Sequence, residues 1–585
     1  MYLPNNIKHW CSQHLDKLRL RLAHADAIPQ LAIMGILSGL LASLVIIAFR
    51  LLIESMQTAY MPGGMKENFE ALDAAWIVLL PLLGGLVIGL LFHWASKGDT
   101  QVGIVHVMER LAYHQGYLPL RNAVLQFVGA ALSIMSGHSV GREGPSVHLG
   151  AATGSLLGQT MTLPNNSIRT LVACGTAAAI AASFNTPLAG VIFAMEVVMM
   201  EYTITGFIPV ILAAVSATTI TRLVFGSAPA FEVPAMHLGS LAELPYILVL
   251  GLVMGALAAL FIQLLQIFSR SLRSQAIWIR MTLAGLATGL CALIAPEIMG
   301  IGYDTVNAAL LGELSLKVLV LVVIFKVLAT TIGLGLGLPG GLIGPTIVIG
   351  AAAGGLMGSI GSSIYAGNDF SAAFYALLGM GALMSATLQA PLAALTAMLE
   401  LTSNPDIILP GMLAVISANL ASSQLFGKQS VYLALMQARG LDYKNNPVSQ
   451  SLRRTGVAST MDRDFISLPE TINANEARTS LESKPRWIII RNQELKILMH
   501  AADLARTLQE LQTQDKDEAT DIELLKIPAQ RFELASIHMQ ASLQEALEIL
   551  NNSPAEALYV QRPNAPGIEH IYGILTRQKI ESSYQ

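Results

Sequence analysis

Arg142 and Glu143 stand together in Gly141-Arg142-Glu143-Gly144-Pro145, inside a stretch that is otherwise apolar. Charge at membrane depth is costly and marks a functional position by default. Pro145 suits the first turn of a helix, where its missing N–H would have no intrahelical partner, and the flanking glycines let backbone approach a ligand closely. The segment therefore predicts a helix that begins at membrane depth. Such a start presents unpaired N–H groups and a partial positive charge, which bind an anion without the grip of a full cation. Gly340-Gly341-Leu342-Ile343-Gly344-Pro345 offers the same device without charged side chains. An ionised Glu143 is itself an anion and can occupy a site made by those amides, whereas a protonated one has no reason to stay. One residue can thus gate anions and carry protons. The alternative is that Arg142 and Glu143 form a buried ion pair that only fixes packing.

Such a helix start needs a bilayer around it. Of the 585 residues 53% are hydrophobic and only 13% are charged, with a mean hydropathy of +0.56, which places the bulk of the chain in a membrane. Residues 28–52, 75–92, 247–267 and 318–334 reach or approach the roughly 20 residues a spanning helix needs. A net charge of −4 without a long basic run gives no reason to expect nucleic acid. Cys11, Cys174 and Cys291 lack paired or metal-ligand spacing and are expected to serve packing alone. The first 27 residues are polar and carry Lys8, Lys17, Arg19 and Arg21, so no cleavable signal peptide is expected. Those cations, with Lys428, Arg439, Lys444, Arg453 and Arg454 after the last apolar segment, place both termini in the cytoplasm.

Composition divides the chain into an N-terminal cytoplasmic segment (1–27), a membrane body (28–441), a linker (442–456) and a soluble tail (457–585). The membrane body is duplicated, with halves at about 28–225 and 240–441. Residues 144–152 resemble residues 344–352, and Gly175, Pro187 and Glu196 are matched by Gly379, Pro391 and Glu400, each 204 positions later. Duplicated membrane units commonly place the substrate site where the halves meet. In the tail, the runs beginning at Glu494 and Ile571 are expected as strands, and residues 542–551 as a helix.

Ser139-Val140-Gly141-Arg142-Glu143-Gly144-Pro145, residues 184–190 (Phe-Asn-Thr-Pro-Leu-Ala-Gly), residues 340–345 and Tyr432 resemble, in order and spacing, the signature of the CLC chloride channels and transporters. The resemblance implies an all-α polytopic membrane protein, an inverted repeat of tilted and broken helices, working as a homodimer with one anion path per subunit in the inner (plasma) membrane. It implies that chloride is the transported ion and that no cofactor is needed. By the same resemblance Glu143 is the external gate, the backbone of Leu342 and Ile343 contacts anion, and the Tyr432 hydroxyl helps close the inner side. The implied anion-binding set is Val102, Gly103, Ile104, Arg142, Gly144, Leu342, Ile343, Gly344 and Tyr432.

Two positions depart from the family pattern. Where a serine hydroxyl usually faces the central anion, this chain has Val102, which donates no side-chain hydrogen bond. Where antiporter members carry two adjacent glutamates, the second being the inner proton residue, this chain has Glu196 and Val197. Valine there points toward a passive, voltage- or pH-gated channel, while a proton-coupled antiporter remains the favoured reading, with water carrying protons to Glu143.

The tail resembles an α/β pair of CBS modules at about 457–508 and 527–583. Modules of this kind that bind adenine nucleotides usually carry Ser or Thr three residues before an aspartate; here Asp503 follows His500, and Thr576 precedes Lys579, so no nucleotide is expected, and Asp503 is the position that would hold one. Gly137-His138-Ser139-Val140-Gly141 matches a nucleophile elbow and residues 335–340 match a dinucleotide turn, but both lie at membrane depth without the strand-to-helix setting such motifs need. No enzymatic activity is expected. His148 lacks metal-ligand company and is expected to be packed or beside the pore.

Overall fold

A computed structural model describes residues 5–96, 98–228, 231, 238–364, 371–441, 447–491, 496–513, 521–562 and 570–583. The side chains of residues 5–13, including Lys8 and Cys11, lie outside the described residues, as do residues 442–446 of the linker and the strand start at 494–495. The chain forms two compact units. One holds residues 31–159 and 168–443; the other holds residues 1–30, 160–167 and 444–585.

The larger unit is helical. Among the described residues, eight helices are long and apolar enough to cross a membrane, including Ile28–Tyr60, Ala74–Trp94, Leu241–Arg270 and Leu316–Leu336, so all four apolar stretches expected from sequence lie within spans. Shorter apolar helices such as Pro187–Phe193 and Pro391–Thr402 have 7 and 12 residues, each opened by a proline at its start. Polar side chains close several starts: Ser315 accepts the N–H of Val318, and Ser371 that of Phe374, removing orphan donors that lipid could not satisfy.

The duplication is visible in the packing. The helix Glu143–Thr160 crosses Asn165–Phe184 where Gly150 meets Gly175, so closely that a Cβ at Gly175 would lie 1.9 Å from the Gly150 carbonyl oxygen. In the other half Ile343–Ile364 crosses Ala372–Leu388 at Gly350 and Gly379, where a Cβ would come within 2.4 Å of carbonyl oxygen. Small residues permit this contact between helices in the absence of a hydrophobic drive.

The smaller unit contains a six-stranded sheet in the order β1-β3-β4-β6-β7-β8, from β1 (Phe465–Pro469), β3 (Trp487–Arg491), β4 (Lys496–His500), β6 (Arg531–His538), β7 (Ala557–Gln561) and β8 (Ile571–Thr576). β2 (Thr471–Asn473) and β5 (Asp521–Glu523) pair separately. β1 runs parallel to β3 and β6 parallel to β7, and β4 and β6 join the two triplets antiparallel, with Leu498 opposite Phe532. The helix Leu543–Asn552 is capped by Ser542 in a capping box with Glu545. This α/β arrangement is consistent with a CBS-like pair. The N-terminal helix Asn5–Leu22 belongs to the same unit, where Arg562 reaches Asp16 at 3.0 Å and the Gly456 N–H donates to the Ala23 carbonyl.

Candidate functional site at the meeting of two helix starts

Just before their helices begin, Gly141 and Gly341 exchange both backbone hydrogen bonds at 2.7 Å as an antiparallel pair. This short ladder holds the N-termini at Glu143 and Ile343 side by side. Gly144 has no room for a side chain, since a Cβ there would sit 2.7 Å from the Gly341 Cα. The Glu143 carboxylate is fully buried in the gap. Its Oε2 accepts the Gly344 N–H at 3.1 Å, and its Oε1 accepts the Tyr303 hydroxyl. The helix start of the second half is thus occupied by an acid carried on the first.

Arg142 does not pair with Glu143. Its Nη2 donates to the Ser183 carbonyl at 3.1 Å, and its guanidinium lies 5.1 Å from the centre of the Tyr303 ring. The ion-pair alternative raised by the sequence is therefore corrected: the two neighbours diverge, and Tyr303 touches both. That tyrosine follows Gly300-Ile301-Gly302, a loop with φ of 59° and 84° at its glycines. Lys326, buried on the helix Leu316–Leu336, holds the loop by donating to the carbonyls of Ile298, Gly300 and Ile301 at 3.0–3.3 Å. Phe231 packs edge-on against the Tyr303 ring at 5.2 Å.

Two cavities approach this point. One, of about 510 Å³, is lined by Val102, Gly103, Ile104, Gly144, Leu342 and Tyr432, with Arg273, Arg280 and Arg439 against the lone carboxylate Glu109. The other, of about 390 Å³, is lined by Arg142 and Tyr303, with Arg50, Lys66, Glu54, Glu67 and Asp304. Arg142 lines one cavity and Gly144 the other, so Glu143 stands in the chain between residues that border the two. Ile343 and Gly344 are buried immediately behind it.

In the first cavity Gly103 caps the helix Ile104–Tyr113 with φ of 83°, a conformation that favours glycine. The Tyr432 hydroxyl is buried with no hydrogen-bond partner, an orphan donor facing a cavity that offers Val102 where a hydroxyl could have stood. Leaving such a group unmet costs roughly 1–3 kcal/mol, which an anion accepting from it would recover.

Glu196 and Glu400 form a reciprocal pair of caps. Glu196 accepts the N–H groups of Leu392 (3.2 Å) and Ala393 (2.7 Å) at the start of Pro391–Thr402. Glu400 accepts those of Leu188 (2.9 Å) and Ala189 (2.7 Å) at the start of Pro187–Phe193. Glu196 lies in a π-helical turn, residues 194–199, that leaves Val197 buried in the apolar core.

Sequence reasoning missed Tyr303, Lys326 and His106. The lone lysine in the apolar run 318–334 was a signal for the second; the other two meet their partners only through the fold. Ser139, the serine of the elbow-like motif, shares a hydrogen bond with Thr330 at 2.9 Å. In the tail, Asp503 pairs with Arg506 at 3.4 Å, and Thr576 caps the helix Arg577–Glu581. Among the described residues no cluster of His, Cys, Asp and Glu is built to hold a metal ion.

A multi-pass inverted repeat whose helix starts meet at a buried carboxylate between two cavities defines a membrane protein of the broken-helix transporter class. The chain belongs to the CLC family: residues 84–423 match the family described as voltage gated chloride channel. It is 35% identical to the ClcB-like protein of Ralstonia nicotianae over 412 residues, covering 69% of this chain and 95% of that one. It is 28% identical to the H(+)/Cl(-) exchange transporter ClcA of Salmonella arizonae, covering 70% and 89%. Among solved structures it resembles a slow cyanobacterial Cl-/H+ antiporter with a TM-score of 0.61 and 25% identity, covering 70% and 97%. A eukaryotic CLC transporter, 19% identical, shares the fold with a TM-score of 0.60 over 94% of this chain and 97% of that one.

Proposed function

We propose that this protein exchanges chloride for protons across the membrane, with Glu143 as gate and proton carrier. The observation that carries the reading is the seat of the Glu143 carboxylate: a negative group rests on the Gly344 N–H, between two cavities lined with arginine. Chloride and carboxylate compete for such a place. Protonation of Glu143 weakens its hold and opens the path; ionisation returns it. Chloride then rests against the helix starts at Gly103–Ile104, Gly144 and Leu342–Gly344 and against the Tyr432 hydroxyl, with Arg142 drawing anions in from the outer cavity. The cavity with Tyr432 opens to the cytoplasm in this reading, both termini lie on that side, and the protein is a homodimer in the inner membrane. The relatives named as proton-chloride exchangers support it.

A passive chloride channel, gated by voltage or pH, is the second reading, and Val197 favours it. Neither Glu196 nor Val197 is well placed to admit protons from the inner side, because Glu196 is committed to the start of Pro391–Thr402 and Val197 cannot titrate. The test is made in liposomes holding the purified protein. A chloride gradient is imposed with voltage clamped by an ionophore, and uphill proton movement is recorded. Protons driven uphill establish exchange, chloride flux alone establishes the channel, and absence of chloride flux refutes both.

A further inference from the structure

Two buried histidines lie together in the membrane unit. His106, 3% exposed on Ile104–Tyr113, and His148, wholly buried on Glu143–Thr160, face each other with Nδ1 of the first 3.0 Å from Nε2 of the second. Their ring centres are 5.3 Å apart. The remaining nitrogen of His148, Nδ1, is buried with no hydrogen-bond partner. Two apolar residues would pack here at no polar cost, so a paired imidazole with one orphan nitrogen is a poor choice for packing alone.

The two helices that carry the pair also carry the proposed proton source and its destination. Gly103, Ile104 and Val105, the start of the His106 helix, line the 510 Å³ cavity, and so does Glu109, one turn beyond His106. His148 shares its helix with Glu143, five residues on and about 7.5 Å along the axis at 1.5 Å per residue. We propose that His106 and His148 form the proton relay between the Glu109 side of that cavity and Glu143, in place of an acid at position 197. This rests on the exchange reading above.

The step balances without any other reactant. A proton arrives at Nε2 of His106 from cavity water or Glu109. The N–H of His106 Nδ1 passes its proton to Nε2 of His148, and the N–H of His148 Nδ1 releases one toward the Glu143 carboxylate through water. One proton enters and one leaves. Each ring ends in its other tautomer, which ring rotation or a returning proton restores.

His106→Gln and His148→Gln test the relay in the liposome assay, since glutamine both donates and accepts a hydrogen bond but does not titrate in this range. A structural role is met by glutamine, and proton-to-chloride coupling is then unchanged. A relay is not met: uphill proton movement falls on the order of 100-fold while chloride still moves. Should one variant carry no chloride, the other, on a separate helix, decides. Coupling retained in the variants overturns the relay and leaves exchange standing. Wild-type protein that moves chloride but no protons overturns exchange and the relay with it.

Discussion

The Tyr303 hydroxyl donates to Oε1 of the Glu143 carboxylate and the Gly344 N–H to Oε2, so each oxygen of the acid has its own donor, both supplied by the second half of the membrane unit. Tyr303 also carries the Arg142 guanidinium over its ring. The Glu143 carboxylate and the Arg142 guanidinium are therefore linked through one aromatic side chain, which itself follows a loop fastened by Lys326.

Glu143→Gln is expected to uncouple the protein. A glutamine cannot carry a proton, so proton movement falls on the order of 100-fold while chloride continues to flow. Parallel recordings of external pH and chloride efflux from liposomes check this.

Tyr303→Phe removes the hydroxyl and keeps the ring. A hydrogen bond to a charged group contributes about 1.5–3 kcal/mol, so the open state gains roughly tenfold or more in population relative to the seated one. Chloride efflux rises, most visibly where Glu143 is ionised. Unchanged efflux in Tyr303→Phe would assign the seat to Gly344 alone.

Val102→Ser adds a hydroxyl to the cavity beside the unpartnered Tyr432 hydroxyl. Chloride binding tightens by about 1 kcal/mol, roughly fivefold in Kd, as for one added hydrogen bond. Isothermal titration in detergent against chloride, bromide and nitrate reads the change, and Tyr432→Phe moves affinity the other way.

Glu196→Ala and Glu400→Ala each leave two helix N–H groups unmet. Either substitution lowers stability by roughly 1–3 kcal/mol, seen as a lower Tm in detergent. An inner proton role for Glu196 predicts lost coupling with an unshifted Tm, and the caps predict the reverse.

In the smaller unit, Asp16 is partly desolvated, which alone raises its pKa, but hydrogen bonds from Arg562 and Arg19 prevail and hold it below its ordinary value. A lowered folded-state pKa gives stability that is complete above the unfolded range and is lost as pH falls through the folded value, on the acid side of about 4. Asp16→Asn abolishes that acid-limb dependence, measured as Tm against pH.

The buried acid at a helix start was legible because Glu143 carries its meaning locally: charge, glycine, proline and an apolar setting lie within five residues. The duplication was legible too, because Gly175, Pro187 and Glu196 recur at one offset. Tyr303 was not, since an ordinary tyrosine acquires its role only when a loop 160 residues away in sequence is folded against Glu143. His106 and His148 lie 42 residues apart on different helices, and neither has metal-like spacing to single it out. Glu196 had two readings in sequence, proton site or structural acid; the geometry gives it two N–H partners on a helix it could not have named.

The crossed caps of Glu196 and Glu400 also bear on how the protein is made. The N–H groups that Glu196 needs lie 196 and 197 residues downstream, and those that Glu400 needs lie 212 and 211 upstream. At synthesis rates of about 5–20 residues per second, the first half waits roughly 10–40 s in the bilayer with its helix start uncapped and Glu196 without its two N–H partners. During that interval it depends on water or on the insertion machinery for partners. A chain halted before residue 391 lacks the two N–H groups that Glu196 caps and the acid that caps Leu188 and Ala189, and keeps only Tyr202 as a side-chain partner for Glu196.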